Sequence, residues 1–207
     1  MDGRLFFAFN HAMTNLEKKA AHIKLLLTDC DGVLTDAGVY YSEHGEEMKR
    51  FSMRDGMGVE RLRKLAKVEV GIITGENSLP VARRASKLQI TELHLGCKNK
   101  LRTLRHIADS YQLGLAEIAF IGDDMNDEAV LQLVGLSACP ADAMQEIKDI
   151  ADYRCRSYGG HGAFREFAEF IIKAKTTIDY SDIGHSSSDI EVPKNSIPTM
   201  TNDHNDQ

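Results

Sequence analysis

The chain of 207 residues has no tryptophan, only four prolines and no repeat period. Without a repeat or an excess of glycine and proline, collagen-like, propeller and solenoid folds are excluded. The longest apolar runs are much shorter than the roughly 18 residues that span a membrane. The apolar stretch near the N-terminus is also too short for a secretory signal. These absences predict a soluble globular protein of about one domain.

Cysteine is scarce and scattered, with single residues at positions 30, 97, 139 and 155. No CxxC pair occurs, and no histidine lies at a spacing typical of a zinc site. A disulfide framework is therefore excluded, and the pattern is typical of reduced thiols in the cytoplasm. We expect each thiol, including Cys30 within an acidic motif, to be a small packing group.

No basic segment offsets the formal net charge of −6. Residues 179–207 hold six acidic side chains and one lysine, so residues 1–178 are close to neutral. A nucleic-acid binder would show a basic footprint, which is absent, and nothing predicts a membrane partner. The segment 178–207 also has three consecutive serines and no apolar periodicity, which predicts a disordered acidic tail.

Between a leader at 1–22 and this tail, short apolar strands alternate with helical patterns. Such alternation predicts a parallel sheet covered on both faces, a doubly wound, Rossmann-like α/β domain at 23–177. The predicted strands are 23–28, 68–73, 92–95, 118–121 and 136–138, with a hairpin formed by 39–41 and 48–51. The predicted helices are 13–22, 57–66, 79–88, 99–111, 126–133, 143–150 and 163–174.

Three of the apolar strands end in polar residues that suit a phosphate and a magnesium ion. Asp29 and Asp31 follow the first strand, Thr74 the second and Gly122–Asp127 the third, while Lys100 opens an intervening helix. Ligands of open parallel sheets bind outside the carboxyl ends of the strands, so these residues are expected to share one site. One acidic strand end is weak evidence, because turns attract aspartate. Two such ends with a threonine and a lysine in this order are specific.

The order DxDGxxT, Thr, Lys, GDDxxD resembles the signature of the haloacid dehalogenase-like (HAD) phosphatases, and the resemblance covers residues 24–174. It implies Mg²⁺-dependent phosphoryl transfer through an aspartyl-phosphate. By the resemblance, Asp29 is the nucleophile and a metal ligand. Asp31 binds the metal through its backbone carbonyl and serves as general acid and base, and Asp123 adds a carboxylate.

The resemblance also assigns the charged residues around the phosphate. Thr74 and Lys100 hold the phosphoryl oxygens as charge develops on them. Asp124 and Asp127 orient the metal's water molecules and Lys100. Because an acid stands two residues after the nucleophile, the expected outcome is hydrolysis and turnover.

The gaps between motifs leave no room for a cap domain, since 42 residues separate Asp31 from Thr74 and 25 separate Thr74 from Lys100. The detailed pattern resembles the capless, tetrameric 3-deoxy-octulosonate 8-phosphate phosphatases and their nonulosonate 9-phosphate relatives. The resemblance rests on residues 31–36, 45–47, 51–56, 73–75 and 159–166. It implies a homotetramer built through the hairpin flap, with the glycine-rich segment at a neighbour's site. His161 stands where the family usually has arginine, which puts any substrate contact of that arginine in question.

The helix after Thr74 bears on the choice of substrate. Glu76 and Lys87 resemble the residues of the nonulosonate (nine-carbon) phosphatases at these positions. Arg84 is shared by the nonulosonate and the octulosonate (eight-carbon) phosphatases. Arg84 and Lys87 are three apart on one helix face and are predicted to bind a substrate carboxylate together. Glu76 is predicted to accept hydrogen bonds from sugar hydroxyls, and Arg54 is a further candidate substrate ligand. The pattern slightly favours a nonulosonate 9-phosphate, with 3-deoxy-D-manno-octulosonate 8-phosphate as the alternative.

Other functions fit the pattern less well. A phospho-acceptor receiver domain needs the acidic pair and the acceptor aspartate in a different order. A non-catalytic oligomerisation domain linked to sialic-acid activation would have lost some motif acids, and none is missing here. A phosphomutase would need a cap under which its substrate could reorient. The favoured function is a phosphoric monoester hydrolase.

Overall fold

The computed structural model describes residues 13–183, with side chains to residue 177. Six parallel strands form one sheet, namely β1 (Leu25–Thr28), β4 (Glu69–Ile73), β5 (Glu92–His94), β6 (Ile118–Ile121), β7 (Leu136–Cys139) and β8 (Tyr153–Arg154). Their order in the sheet is β5-β4-β1-β6-β7-β8, and β1 pairs with β4 on one side and β6 on the other. The predicted doubly wound parallel sheet is confirmed.

Helices cover both faces of the sheet because the side chains of its strands alternate between two apolar clusters. Leu26 packs into one cluster, and its neighbours Leu25 and Leu27 pack into the other. The helices are α1 (Asn15–Ala21), α2 (Met53–Arg61), α3 (Leu79–Lys87), α4 (Lys100–Tyr111), α5 (Glu128–Leu131), α6 (Gln145–Ile150) and α7 (Ala163–Ile183). Residues from α1, α2, α3 and α7 belong to the first cluster and residues from α4, α5 and α6 to the second.

The remaining strands, β2 (Thr35–Ser42) and β3 (Gly45–Phe51), form an antiparallel hairpin that is separate from the sheet. Its register shifts between Thr35 and Val39 and again between Tyr40 and Tyr41. The outer part of the hairpin leaves large apolar side chains exposed, among them Tyr40 (60%), Tyr41 (68%) and Met48 (60%). Within residues 13–183, this hairpin lies in the first of the two gaps in which a cap domain could be inserted, and α3 and β5 occupy the second.

The glycine-rich loop before α7 is anchored by two acidic side chains from the segments that resemble the capless family. The buried carboxylate of Asp55 accepts hydrogen bonds from the backbone N–H groups of Gly162 (3.2 Å) and Arg165 (2.9 Å) at the start of α7. Glu166 accepts from the N–H groups of Arg156 and Ser157, each at 2.9 Å. These bonds satisfy donors that a helix terminus and a tight loop leave unpaired.

The structure differs from the predicted boundaries in places. Helix α2 begins at Met53 rather than at residue 57, because the Ser52 hydroxyl accepts from two N–H groups of its first turn. The two-residue strand β8 was not predicted. Ala20, which we assigned to the leader, is fully buried in the first cluster.

The predicted boundary of the tail is also shifted. Helix α7 extends to Ile183, past the predicted end at 174 and past residue 178, where the tail was placed. The leader residues 1–12 and the tail residues 184–207 lie outside the described part of the chain.

None of the described helices is both long enough and apolar enough to span a bilayer. All four cysteines are free thiols, and Cys30, Cys139 and Cys155 are buried. Burial, together with the nearby charges of Asp31 and Asp29, raises the pKa of Cys30 well above its usual value. A thiol of this kind stays protonated, as expected of a packing group.

Candidate active site

Three neighbouring strands bring the predicted catalytic residues together. Strands β4, β1 and β6 lie side by side, so that Thr74, Asp29 and Gly122 follow adjacent carboxyl ends. A cavity of about 200 Å³ opens at this edge of the sheet. It is lined by Asp29, Asp31, Ala37, Thr74, Gly75, Glu76, Asp123, Asp124 and Asn126.

The buried Lys100 ammonium is held between two carboxylates. Its Nζ lies 2.9 Å from Asp29 Oδ1 and 2.6 Å from Asp127 Oδ1. All three side chains are at most 6% exposed. The other oxygen of Asp127, Oδ2, accepts the backbone N–H of Asp123 at 3.2 Å. Asp127 thus connects Lys100 to the Asp123 loop.

Several carboxyl groups lie close together in the site and affect one another's pKa values. Burial and the neighbouring Asp127 raise the pKa of Asp29 despite the opposing charge of Lys100. Burial and the charge of Asp29 raise the pKa of Asp123 to about 8. Burial alone would lower the pKa of Lys100, but Asp29 and Asp127 raise it overall, so Lys100 stays protonated. One lysine does not neutralise these carboxylates, and a further cation is needed to keep them ionised at neutral pH.

The donor set fits a hard divalent cation. Oxygen atoms of Asp29, Asp123 and Asp127 all lie within 4.8 Å of one another. Asp123 Oδ1 is buried and has no hydrogen-bond partner among the described residues, as expected of an atom that faces a metal. Gly32, with φ of +81°, leaves room for this carboxylate, since a Cβ there would lie 1.9 Å from Asp123 Oδ2. The site therefore suits Mg²⁺, which prefers oxygen ligands.

Asp31 lines the cavity, and a residue of the hairpin holds its carboxylate. Lys49 Nζ, on β3, lies 2.7 Å from both carboxylate oxygens of Asp31. The Thr35 hydroxyl donates a weaker bond to Asp31 Oδ1 at 3.3 Å. Asp31 was predicted from the motif, but Lys49 was missed, because its only signal is a lysine in an alternating strand pattern.

The comparisons with known proteins agree with this geometry. Residues 75–166 match the model of a haloacid dehalogenase-like hydrolase family. The 3-deoxy-D-manno-octulosonate 8-phosphate phosphatase of Escherichia coli K12 is 39% identical over 161 residues, covering 78% of this chain and 85% of that one. The chain belongs to the capless HAD phosphatases.

Solved structures of relatives support the same family. The 3-deoxy-D-manno-octulosonate 8-phosphate phosphatase of Yersinia pestis has a TM-score of 0.76 and 37% identity, covering 79% of this chain and 88% of that one. The enzyme from Moraxella catarrhalis, solved with magnesium, phosphate and the KDO molecule, has a TM-score of 0.77 and 33% identity. It covers 84% of this chain and 99% of that one. The magnesium-bound relative and the acidic cluster both support the predicted cofactor, Mg²⁺.

In this HAD phosphatase, the predicted substrate residues do not all meet at the catalytic cavity. Glu76 is exposed and lines it, close to Thr74, whose hydroxyl accepts the Glu76 N–H at 3.2 Å. Arg84 and Lys87 instead line a separate cavity of about 170 Å³ between α2 and α3. The Arg84 guanidinium donates to the Ser52 carbonyl at 2.9 Å. Arg54 is exposed at the start of α2 and is not among the described residues that line either cavity.

His161, which by the resemblance stands where arginine is expected, contacts the hairpin. Its Nδ1 lies 2.8 Å from the Gly159 carbonyl, and its Nε2 lies 2.6 Å from a guanidinium nitrogen of Arg50. If Nδ1 carries the proton, both contacts are satisfied by a neutral ring that accepts from Arg50. Residue 161 is not an arginine in this chain, and the guanidinium group that contacts it belongs to Arg50 of β3.

Proposed function

We propose that this enzyme hydrolyses 3-deoxy-D-manno-octulosonate 8-phosphate in a Mg²⁺-dependent reaction. The observation that carries the proposal is the cluster formed by Asp29 after β1, Asp123 and Asp127 after the adjacent β6, and Lys100 at the start of α4, in a chain 39% identical to a phosphatase of that name. The relatives' names support the eight-carbon alternative better than the nine-carbon acid that the sequence pattern slightly favoured. The location of Lys87 outside the catalytic cavity also weakens the argument for the nine-carbon acid.

In the proposed first step, a carboxylate oxygen of Asp29 attacks phosphorus as the bond to the sugar oxygen breaks. Mg²⁺ held by Asp29, Asp123 and the Asp31 carbonyl would supply the charge that lets two anionic groups approach. Lys100 and Thr74 bind the phosphoryl oxygens, and Asp127 keeps the Lys100 ammonium in place. The Asp31 carboxyl donates its proton to the departing sugar oxygen.

In the proposed second step, the now ionised Asp31 takes a proton from a water molecule that attacks the phosphoryl group on Asp29. Asp29 is released as a carboxylate, and inorganic phosphate leaves. The proton that Asp31 gave to the sugar is thereby replaced, so the cycle closes without a further reactant. The two roles require the Asp31 carboxyl group to stay close to the reacting phosphorus in both steps.

The substrate is tested by comparing the two sugar-acid phosphates directly. We expect kcat/KM to be at least about tenfold higher for 3-deoxy-D-manno-octulosonate 8-phosphate than for a nonulosonate 9-phosphate. A cavity that fits the eight-carbon chain would bind the longer nine-carbon chain less well in the transition state. The measurement is phosphate release in Mg²⁺ with each ester. A preference for the nine-carbon ester would reverse the proposed substrate but leave the phosphatase assignment intact.

We further propose that the enzyme is a homotetramer in which the hairpin contacts another subunit. The catalytic cavity has no cap within the described residues, and the exposed side chains of Tyr40 and Met48 face each other across the hairpin. Apolar side chains of this size, clustered at a surface, are typical of interfaces.

The double variant Tyr40→Glu with Met48→Lys tests this assembly. It replaces the apolar pair by opposite charges that still pair across the strands, so the hairpin itself is retained. We expect light scattering to show smaller species and kcat/KM to fall at least about tenfold, whereas the exposed control Leu65→Lys stays tetrameric. A monomeric wild-type enzyme with full activity would contradict the proposal.

A further inference from the structure

Lys49 is a cation that the motif does not contain, and its side chain is nearly inaccessible to solvent. Its side chain is only 2% exposed, although it belongs to a hairpin whose outer residues are exposed. Besides its two contacts of 2.7 Å with Asp31, Nζ lies 3.4 Å from Glu46 Oε2. Burial alone would lower the pKa of Lys49, but Asp31 and Glu46 raise it, so the lysine stays charged.

Glu46 connects this lysine to the helix that follows Thr74. Its other oxygen, Oε1, accepts a hydrogen bond from the Ser78 hydroxyl, and Ser78 is the N-cap of α3. A continuous chain of polar contacts therefore joins Asp31, Lys49, Glu46 and Ser78. Desolvating a lysine and two carboxylates is costly, so such a chain contributes little net stability and serves better to fix geometry.

Lys49 is not among the described residues that line the catalytic cavity, whereas Asp31 is. Lys49 Nζ contacts Asp31, whereas Lys100 Nζ contacts Asp29 and Asp127, so the two lysines hold different carboxylates of the site. The contacts of Lys49 restrict the Asp31 carboxylate, since its Oδ1 faces both Lys49 and Thr35 while its Oδ2 faces Lys49 alone. Lys49 thus fixes the orientation of a carboxylate that lines the catalytic cavity.

We propose that Lys49 is a positioning residue that holds the Asp31 carboxyl in the orientation needed to protonate the departing sugar oxygen. The inference rests on the proposed function and adds a hairpin residue to it. In the step concerned, the bond from phosphorus to the sugar oxygen breaks, a bond to Asp29 forms, and the proton passes from Asp31 to the sugar oxygen. The hairpin is then part of the acid-base apparatus as well as a proposed subunit contact.

The test compares two leaving groups in Lys49→Met. A sugar alkoxide needs a proton as it leaves, whereas p-nitrophenolate is a stable anion that leaves without one. We expect kcat/KM to fall about 100-fold for 3-deoxy-D-manno-octulosonate 8-phosphate, in the range of lost general-acid catalysis, and less than about threefold for p-nitrophenyl phosphate. The control Lys64→Met, which removes an exposed lysine paired with Glu60, should change neither value. Equal losses with both esters would overturn the proposal.

A second comparison separates positioning from a general structural role. If Lys49 acts through Asp31, adding Lys49→Met to Asp31→Asn lowers hydrolysis of the sugar ester no further. If the two residues act independently, the fold losses of the two single variants multiply in the double variant, and this result would overturn the inference. Circular dichroism checks folding, and Lys49→Gln carries the same comparisons if Lys49→Met does not fold. Wild-type enzyme inactive on both esters would refute the proposed function; active wild type without the leaving-group effect would refute only the role of Lys49.

Discussion

Asp29→Asn is expected to lower kcat for phosphate release at least about 10⁴-fold with every ester, because an amide cannot attack phosphorus. Unlike the loss in Lys49→Met, this loss does not depend on the leaving group, since nucleophilic attack is common to all substrates. The substitution removes a buried acid whose pKa is raised by burial and by Asp127, so the metal-free protein should remain folded. Loss of activity through unfolding is thereby separated from loss of the nucleophile.

The measurement is phosphate release in Mg²⁺, together with the melting temperature of each variant. Asp109→Asn, at an exposed position of α4, is the matched control and should retain wild-type activity. If Asp29→Asn kept a tenth of the wild-type rate, Asp29 could not be the nucleophile and the mechanism above would be wrong.

The stability of the metal-free protein is expected to fall as the pH rises from about 5 to 8. Burial raises the pKa of Asp123 to about 8, and burial with the nearby Asp127 raises the pKa of Asp29, from an ordinary value of 3.8 for each. The unfolded chain releases these protons near pH 4, whereas the folded chain retains them until the pH approaches the raised pKa values. The folded state binds more protons in this window, so raising the pH favours unfolding.

Mg²⁺ should reverse this loss at pH 8. A cation present at 100 times its dissociation constant adds about 2.7 kcal/mol, which for a domain of this size raises Tm by about 5–10 °C. Asp123→Asn removes a carboxyl group that has a raised pKa and is a predicted metal ligand. We therefore expect the Tm of this variant to depend less on pH and to rise much less on addition of Mg²⁺. Thermal unfolding followed by circular dichroism, with and without Mg²⁺, gives both quantities. A Tm that is independent of pH and of Mg²⁺ would contradict the assignment of the metal site.

The proximity of the predicted catalytic residues could be inferred from the sequence because local sequence decides where they lie. Asp29, Thr74 and Asp123 each follow a short apolar run, and parallel strands bring their carboxyl ends to one edge of the sheet. Lys100 was predictable from its place at the start of a helix between two such strands. No long-range information beyond the strand order was needed for this part of the site.

The contacts made by the hairpin were not predictable in the same way. Lys49 reaches Asp31 through a hairpin whose two register shifts decide which side chains turn inward, and no motif encodes those shifts. Arg84 and Lys87 share one helix face, as the spacing predicted, and both line the same cavity. That cavity is not the catalytic one, because packing rather than periodicity determines what a helix face contacts. The short strand β8 and the extension of α7 were missed for lack of a local signal.

The central claim is that phosphate is transferred through Asp29, and the most direct measurement is to find it there. The Asp31→Asn variant, which lacks the base for the second step, should accumulate the intermediate when mixed with p-nitrophenyl phosphate and Mg²⁺, because that ester needs no proton donor in the first step. After rapid acid quenching and proteolysis, mass spectrometry should place one phosphoryl group on Asp29 in the peptide that contains Cys30. Release of p-nitrophenol with that peptide unmodified, or with the phosphoryl group on another residue, would contradict the account.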